Sequence, residues 1–323
     1  MENAILVLGG SCFMGKRFVE RIRQVFPPDL VVVTVNRGNV YWGNHVSPSI
    51  KCDRKKDRSE YRNRLSQIIP DYKWVGVIDF CAFKSRDLSE SLPVEIFNGE
   101  VFPIYILIST DSVYEVVDLG GVSEVDESLN VIAKYPSRDK YGYNKLRVEQ
   151  TARELSSESQ SLVILRLPDV IGPFDDTYRL WKYCEWLKSG TDVYVPSDNI
   201  KLAFVYSEDV VEFCVGQFCN FSRGSKETLN LLCDEQVSLK EFLRILADCL
   251  GCELCVANTS CSPRSFYPSV EYREVPLSGE KAKKMFGFKP TPLCEAVKNT
   301  VNWLSTAQSV YPAEWIEMLE NLH

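Results

Sequence analysis

Ala4-Ile5-Leu6-Val7-Leu8-Gly9-Gly10-Ser11-Cys12-Phe13-Met14-Gly15-Lys16-Arg17 is the stretch whose reading decides the fold. Its first five residues form an apolar run that predicts a short buried strand, and the glycines after it break that strand. Met14, Phe18, Ile22 and Val25 then recur at helical spacing until Pro27-Pro28 ends the pattern. Strand, glycine turn and helix, in that order, open a βαβ unit whose turn brings backbone N–H groups up to a dinucleotide phosphate. Gly9, Gly10, Ser11, Cys12, Phe13, Met14 and Gly15 are therefore candidate cofactor contacts. A nicotinamide dinucleotide is the expected occupant.

The next apolar run, Leu30 to Val35, predicts a fully buried second strand that ends at Asn36-Arg37-Gly38. In such a unit the residue just past the second strand faces the adenosine ribose. An acid there accepts hydrogen bonds from the ribose hydroxyls, whereas an arginine attracts a 2′-phosphate. Here no acid is present, so Asn36 and Arg37 point to NADP ahead of NAD. Ile50-Lys51-Cys52-Asp53-Arg54 is a weaker third strand, with Asp53 either binding the adenine amino group or serving as a turn residue, and Arg54 beside it. Tyr61, Leu65 and Ile68 predict a helix that Pro70 closes, and Trp74 to Phe80 predicts a fourth buried strand. Open α/β sheets bind ligands at the carboxyl ends of their strands, so Cys81 and Ala82 join the candidate cofactor contacts.

Ile104 to Ile108 runs directly into Ser109-Thr110-Asp111-Ser112-Val113-Tyr114, which puts three hydroxyls and a carboxylate at a strand's carboxyl end. A plain Ser/Thr turn has the same composition. Tyr135-Pro136-Ser137-Arg138-Asp139-Lys140-Tyr141-Gly142-Tyr143-Asn144-Lys145 then opens a helix that continues to about Leu155. At about 100° per residue, Tyr141, Lys145, Val148, Ala152 and Leu155 share one stripe, which is the expected packing face. A lysine on an inward row loses its hydration and tends to lose its proton, unless it snorkels outward from the helix start. The phenol one turn back supplies a reason for it. An ammonium beside Tyr141 lowers the phenol's pKa and lets it exchange protons near neutral pH.

Leu162 to Arg166 is a further buried strand, and Leu167-Pro168-Asp169-Val170-Ile171-Gly172-Pro173 is its exit, with Pro168 on the cofactor side. Beyond it Arg179 opens a helix and is a candidate substrate contact, and Lys182 and Lys201 are further cations for a diphosphate. Lys201 to Tyr206 and the helix after Ser207 are expected to return to the main sheet, with another strand at Leu229 to Leu232. Leu239 to Leu250, Lys283 to Gly287 and Leu293 to Leu304 are expected to be helical. The expected fold class is α/β: a Rossmann-type doubly wound parallel sheet over residues 1–167, to which 202–235 return. A smaller, interleaved substrate lobe is expected over 168–323.

The totals narrow the function classes. With 323 residues, 45% hydrophobic and 25% charged, the chain has ample material for a packed core. A net charge of −7 argues against a nucleic-acid partner. Twelve cysteines, in CxxC spacing only at Cys249/Cys252/Cys255, with only His45 and His323 beside them, argue against a metal site. Unpaired thiols, no secretory leader and no apolar stretch of bilayer length are read as a cytoplasmic protein without a membrane partner.

Taken together, these stretches resemble the extended short-chain dehydrogenase/reductases, the group of NAD-dependent epimerases and dehydratases. The resemblance runs through the glycine turn, IDFCAF (78–83), ISTDSVY (108–114), YGYNK (141–145), LRLPDVIGP (165–173), FVYSEDVVEF (204–213) and GFKPTPLCEAVKNTVNWL (287–304), nearly the whole chain. It implies a catalytic set of Thr110, Tyr141 and Lys145, with Asp111 beside it and Ser112 toward the substrate. Tyr141 would act as acid/base on a substrate hydroxyl, Thr110 would hydrogen-bond the same oxygen, and Lys145 would bind the nicotinamide ribose and lower the Tyr141 pKa. The implied substrate is a sugar nucleotide, and pairing through helices, one of them carrying Tyr141, would make a homodimer.

Two departures qualify the resemblance. The usual G-x-x-G-x-x-G turn has Cys12 at its middle glycine, where a side chain crowds the pyrophosphate, and Gly9-Gly10…Gly15-Lys16 is similar to an atypical branch with a GGxxxxG[K/R] signature. That branch includes plant chloroplast proteins linked to RNA. Nucleotide-sugar 4,6-dehydratases carry Thr-Asp-Glu where this chain has Thr110-Asp111-Ser112, so the acid that drives elimination is missing. Epimerisation or reduction therefore ranks above dehydration. The alternatives are a 4,6-dehydratase, an oxidoreductase of a non-sugar molecule, and a non-catalytic RNA-binding or cofactor-sensing protein of the same fold.

Overall fold

The computed structural model describes residues 1–39, 42, 49–129, 131–195, 201–257 and 275–307, so His45 and His323 lie outside the described residues. The first half winds as β1 (Asn3–Leu8), α1 (Phe13–Val25), β2 (Val31–Asn36), β3 (Ile50–Lys51), α2 (Arg58–Ile68), β4 (Lys73–Asp79), the short α3 (Arg86–Ser89), β5 (Ile104–Thr110), α4 (Lys140–Leu155) and β6 (Ser161–Leu167). The second half continues through β7 (Asp169–Ile171), α5 (Arg179–Lys188), β8 (Val193–Tyr194), β9 (Phe204–Tyr206), α6 (Ser207–Asn220) and β10 (Lys226–Asn230). It closes with α7 (Leu239–Leu250), β11 (Val256–Ala257), α8 (Glu280–Phe286) and α9 (Leu293–Thr306).

Seven strands form one parallel sheet in the order β10-β6-β5-β4-β1-β2-β3. The chain winds outward from β1 to β3, then crosses over and winds the other way from β4. The switch point between β1 and β4 opens a crevice at the strands' carboxyl ends. Side-chain alternation gives the sheet two buried faces. Ile5 and Val7 enter the core beneath α1 and α6, while Ala4, Leu6 and Leu8 enter the core beneath α2 and α4. β5 divides in the same way, Ile104, Ile106 and Ile108 on one face and Tyr105 and Leu107 on the other.

The third strand is only two residues long, and Cys52 to Arg54 leave the sheet. The expected return of Lys201–Tyr206 to the main sheet does not occur. β10 occupies the edge beside β6, and β9 pairs with β7 in a separate two-stranded sheet. What returns is α6, which packs on α1 with Arg17 on Glu208 at 2.8 Å, and β10, which spans Lys226–Asn230 and not Leu229–Leu232. α8 also lies against the main sheet through Ala282, with Phe288 just beyond its end in the same core. A second core joins α5, α7, α9 and β9, with Phe204 stacked on Phe242 at 4.4 Å. α7 has Leu239, Phe242, Leu243, Leu246 and Ala247 buried on one face, a Ser238/Glu241 capping box, and Gly251 in the left-handed conformation at its end.

Candidate active site

The glycine turn depends on two glycines. Gly9 has a φ of +93°, and a Cβ on Gly15 would lie 2.1 Å from the Gly9 carbonyl oxygen. Only without that carbon can the first turn of α1 approach the end of β1 so closely. Cys12 stands at the N-cap of α1 but makes no cap bond; its thiol donates to Asp176 Oδ2 at 3.4 Å. Burial and the Asp176 carboxylate push that thiol well above its ordinary range. The Phe13 amide donates to the Phe174 carbonyl at 3.1 Å. Met14 and Gly15 are the remaining first-turn amides without an intrahelical acceptor.

From this turn a cavity of about 630 Å³ runs along the strand ends to α4, a size ordinary for a small-molecule site. Every candidate residue lines it except Gly10, Ala82 and Lys182, all three buried. A Cβ on Gly10 would meet Val19, Val7 and Thr34, so that glycine serves packing. The Ala82 carbonyl has another use, as an acceptor for Lys145. At the end of β2, Asn36 Oδ1 accepts the Gly38 amide at 2.8 Å, while its buried Nδ2 has no hydrogen-bond partner. Exposed Arg37 follows it. Asp53 accepts from the Lys55 amide at 2.9 Å, a turn contact. Arg54 is buried in an ion pair with Asp79 at 3.0 Å and lies over the Tyr61 ring, so its charge is neutralised within the protein.

At the other end, Asp139 caps α4 by accepting the Tyr141 amide at 2.7 Å. Gly142 lets the helix start lie against the β5 exit, since a Cβ there would fall 2.1 Å from the Ser112 carbonyl oxygen. These two features bring Tyr141 and Lys145 to Thr110, Asp111 and Ser112. Thr110 Oγ1 accepts the Ser112 amide at 3.2 Å and reaches Asp111 Oδ1 at 3.4 Å. Arg179, paired with Asp169 at 2.9 Å, completes this end. Lys201 also lines the cavity and pairs with Glu241 at 3.0 Å, whereas Lys182 is buried away from it.

Lys145 behaves as its place on the stripe implies. It is buried with Val148 and Ala152, although Tyr141 and Leu155 at the ends of the stripe are exposed. Its Nζ donates to the Ala82 and Ile108 carbonyls, each at 2.8 Å, which leaves a third N–H. Loss of hydration lowers its pKa to about 8. The folded lysine thus gives up its proton above about pH 8, while an unfolded lysine keeps its proton to about 10.5. Between those values the unfolded chain binds more protons, so folding stability rises with pH on account of this group. The unfolding free energy of the parent protein should therefore gain on that of Lys145→Met between pH 7 and pH 10. Parallel curves would show that the lysine is not desolvated.

The Tyr141 phenol is shifted upward, not into the neutral range expected beside Lys145. Loss of water around the phenol hydroxyl, followed by the Asp111 carboxylate, raises its pKa to about 12; Arg179 and the Thr110 hydroxyl only partly oppose this. The physical reason is placement. The lysine Nζ sits 6.0 Å from the Tyr141 ring centroid and is bound to two carbonyls, while Asp111 lies beside the hydroxyl end. The phenol is held protonated.

A model of the NAD dependent epimerase/dehydratase family matches residues 5–231. The chain belongs to this family. No curated protein sequence matches it. Among solved structures, UDP-glucose 4-epimerase from Thermotoga maritima, with UDP-glucose, is 19% identical, with a TM-score of 0.68 over 94% of this chain and 98% of that one. UDP-glucuronic acid 4-epimerase from Bacillus cereus, with NAD, is 18% identical, with a TM-score of 0.70 over 94% and 98%. dTDP-glucose 4,6-dehydratase from Bacillus anthracis, with NAD, is 15% identical, with a TM-score of 0.68 over 98% and 99%. At such identities the likeness establishes the fold.

Beneath the cavity, this epimerase/dehydratase-family chain carries a buried polar network. Arg166 forks onto Glu149, Nη2 to Oε2 at 2.7 Å and Nε to Oε1 at 3.0 Å, and the Ser109 hydroxyl donates to Glu149 Oε1 at 2.6 Å. Arg166 Nη1 donates to the Tyr114 hydroxyl, which donates to Asn230. The network ties α4 to β5, β6 and β10, and so sets the helix bearing Tyr141 and Lys145 against the strand bearing Thr110. Arg166 and Asp79, charged residues inside apolar strands, were visible as anomalies in the sequence, and Glu149 lies one turn beyond Lys145. Asp175 and Asp176 line the cavity too, and nothing local marks them. Among the described residues, no group of three or more His, Cys, Asp or Glu side chains could hold a metal ion, and no helix is long and apolar enough to cross a membrane.

Proposed function

We propose that the protein is a nicotinamide-dinucleotide enzyme acting on a nucleotide sugar, with epimerisation or reduction at Tyr141. The observation that carries this reading is the convergence of Thr110, Tyr141 and Lys145 at one end of a cavity whose other end is the glycine turn. The lining fits a dinucleotide at three places. Gly9 and Gly15 leave backbone where side chains would clash, Asn36 Nδ2 is an orphaned buried donor, and Lys145 has an unspent N–H. Asn36 and Arg37 are both donors at the adenosine end, which supports NADP somewhat ahead of NAD.

A bound nicotinamide supplies hydride exchange with a substrate carbon. The chain's own residues orient the reactants and move the proton. Tyr141, protonated at rest, gives its proton to a carbonyl oxygen or regains it from a hydroxyl. Thr110 hydrogen-bonds that oxygen, and Lys145 holds the cofactor ribose. Arg179 and Lys201 are the cations available to a substrate diphosphate. Asp111 has no adjacent Glu, which supports epimerisation or reduction above dehydration. In this reading residues 1–167 with α6 and β10 hold the cofactor, while β9, which pairs with β7, goes with the remainder that holds the substrate. The free thiols, Cys12, Cys52 and Cys81 among them, support a cytoplasmic setting.

Titration with NAD and NADP, followed by a panel of UDP- and dTDP-sugars, tests the proposal. Conversion of one sugar nucleotide into its epimer without net change in cofactor is the expected outcome. Binding of neither dinucleotide would remove the reading.

A further inference from the structure

The segment between β7 and α5 is held in place. Phe174 and Tyr178 have φ values of +63° and +56°, a left-handed conformation that non-glycine residues adopt only when their surroundings impose it. Three contacts fix the stretch between them. The Phe13 amide donates to the Phe174 carbonyl at 3.1 Å, the Trp42 indole N–H to the Asp175 carbonyl at 2.9 Å, and the Cys12 thiol to Asp176 Oδ2 at 3.4 Å. The Asp175 carboxylate folds back onto Thr177, taking its amide at 2.8 Å and its hydroxyl at 2.7 Å. Asp176 is therefore the carboxylate that this segment presents to the glycine turn. It lines the cavity with Asn36 and Arg37; burial raises its pKa, and the Cys12 thiol and then the Arg37 guanidinium only partly oppose that rise.

The case for a 2′-phosphate rested on the missing acid at the end of β2. A carboxylate nevertheless reaches the glycine turn at Cys12, in the cavity that Asn36 and Arg37 also line, from a distant part of the chain. We propose that Asp176 supplies the acid that β2 lacks, and that it selects between a free 2′-hydroxyl and a 2′-phosphate on the adenosine ribose. This rests on the dinucleotide reading above. A carboxylate only accepts hydrogen bonds, so it suits ribose hydroxyls and opposes a phosphate dianion, while Arg37 does the reverse. The two influences offset one another, and the chain accepts both dinucleotides.

Calorimetric titration of NAD and NADP into the full-length protein and its variants tests this. The parent should bind both with dissociation constants within about tenfold of one another. Asp176→Asn should shift the ratio about tenfold toward NADP, and Asp176→Ser, which removes the same charge with less bulk, should shift it the same way. Arg37→Gln should shift it toward NAD. An unchanged ratio in both Asp176 variants, with both nucleotides still bound, would overturn the proposal and leave the dinucleotide reading intact. Failure of the parent to bind either nucleotide would overturn the reading itself.

Discussion

Tyr141→Phe should lose roughly 10²–10⁴-fold in turnover while its affinity for the dinucleotide stays close to that of the parent. The substitution removes one oxygen and keeps the ring, which faces Phe83 at a centroid distance of 6.5 Å. Little else depends on that hydroxyl. The α4 start is capped through the Tyr141 backbone amide, which phenylalanine retains, and the residue is 45% exposed, so the helix and its packing should survive. The loss should therefore appear in kcat and not in cofactor binding, a split read by steady-state rates on the substrate found in the panel and by nucleotide titration. A fully active variant would remove Tyr141 from the chemistry. Because Asp111 helps to hold the phenol protonated, Asp111→Asn should bring the phenol's titration downward, toward its ordinary range near 10. Ultraviolet difference spectra of the two proteins between pH 8 and 12 read that change directly.

Arg166→Met should destabilise the fold by about 3–5 kcal/mol at neutral pH, the usual loss when one partner of a buried ion pair is removed. Arg166 and Glu149 are 2% and 1% exposed, so no water is at hand to replace the guanidinium. The variant leaves the carboxylate with only the Ser109 hydroxyl, and the Tyr114 hydroxyl loses a donor. Replacing both charges, Arg166→Met with Glu149→Leu, should recover much of the loss, because two apolar groups need no desolvation. Urea denaturation at pH 7 of the parent, the single variant and the double variant gives the comparison. A single variant within 1 kcal/mol of the parent would mean that the pair contributes no more than a surface bridge.

The network also shows which features were legible before folding. The run Leu162–Arg166 reads as a buried strand in spite of its arginine, and a charge in that setting demands a partner. The partner is found only in space. Glu149 sits at helical spacing from Lys145, yet its carboxylate closes onto a strand that follows the helix by more than a turn of chain. Tyr141 is the opposite case. Its closeness to Lys145 was correctly read from their spacing, while the net shift of the phenol was not, because desolvation raises it and Asp111, arriving from another strand end, adds to that rise.

The sequence by itself determined β1, β2, β4, β5 and β6 with α1, α2 and α4, the glycine turn, and the Tyr141–Lys145 pair. These features follow from local periods and from which residues tolerate tight backbone, quantities that need only a few neighbouring positions. Tertiary structure alone decided that β9 pairs with β7, that Arg54 is spent on Asp79, and that Asp176 lies against Cys12 across a separation of 164 residues. Such contacts are governed by distance through space. Hydrophobic patterning tells a chain which side of an element to bury but not which distant carboxylate will stand beside it, and charge interactions depend on that distance.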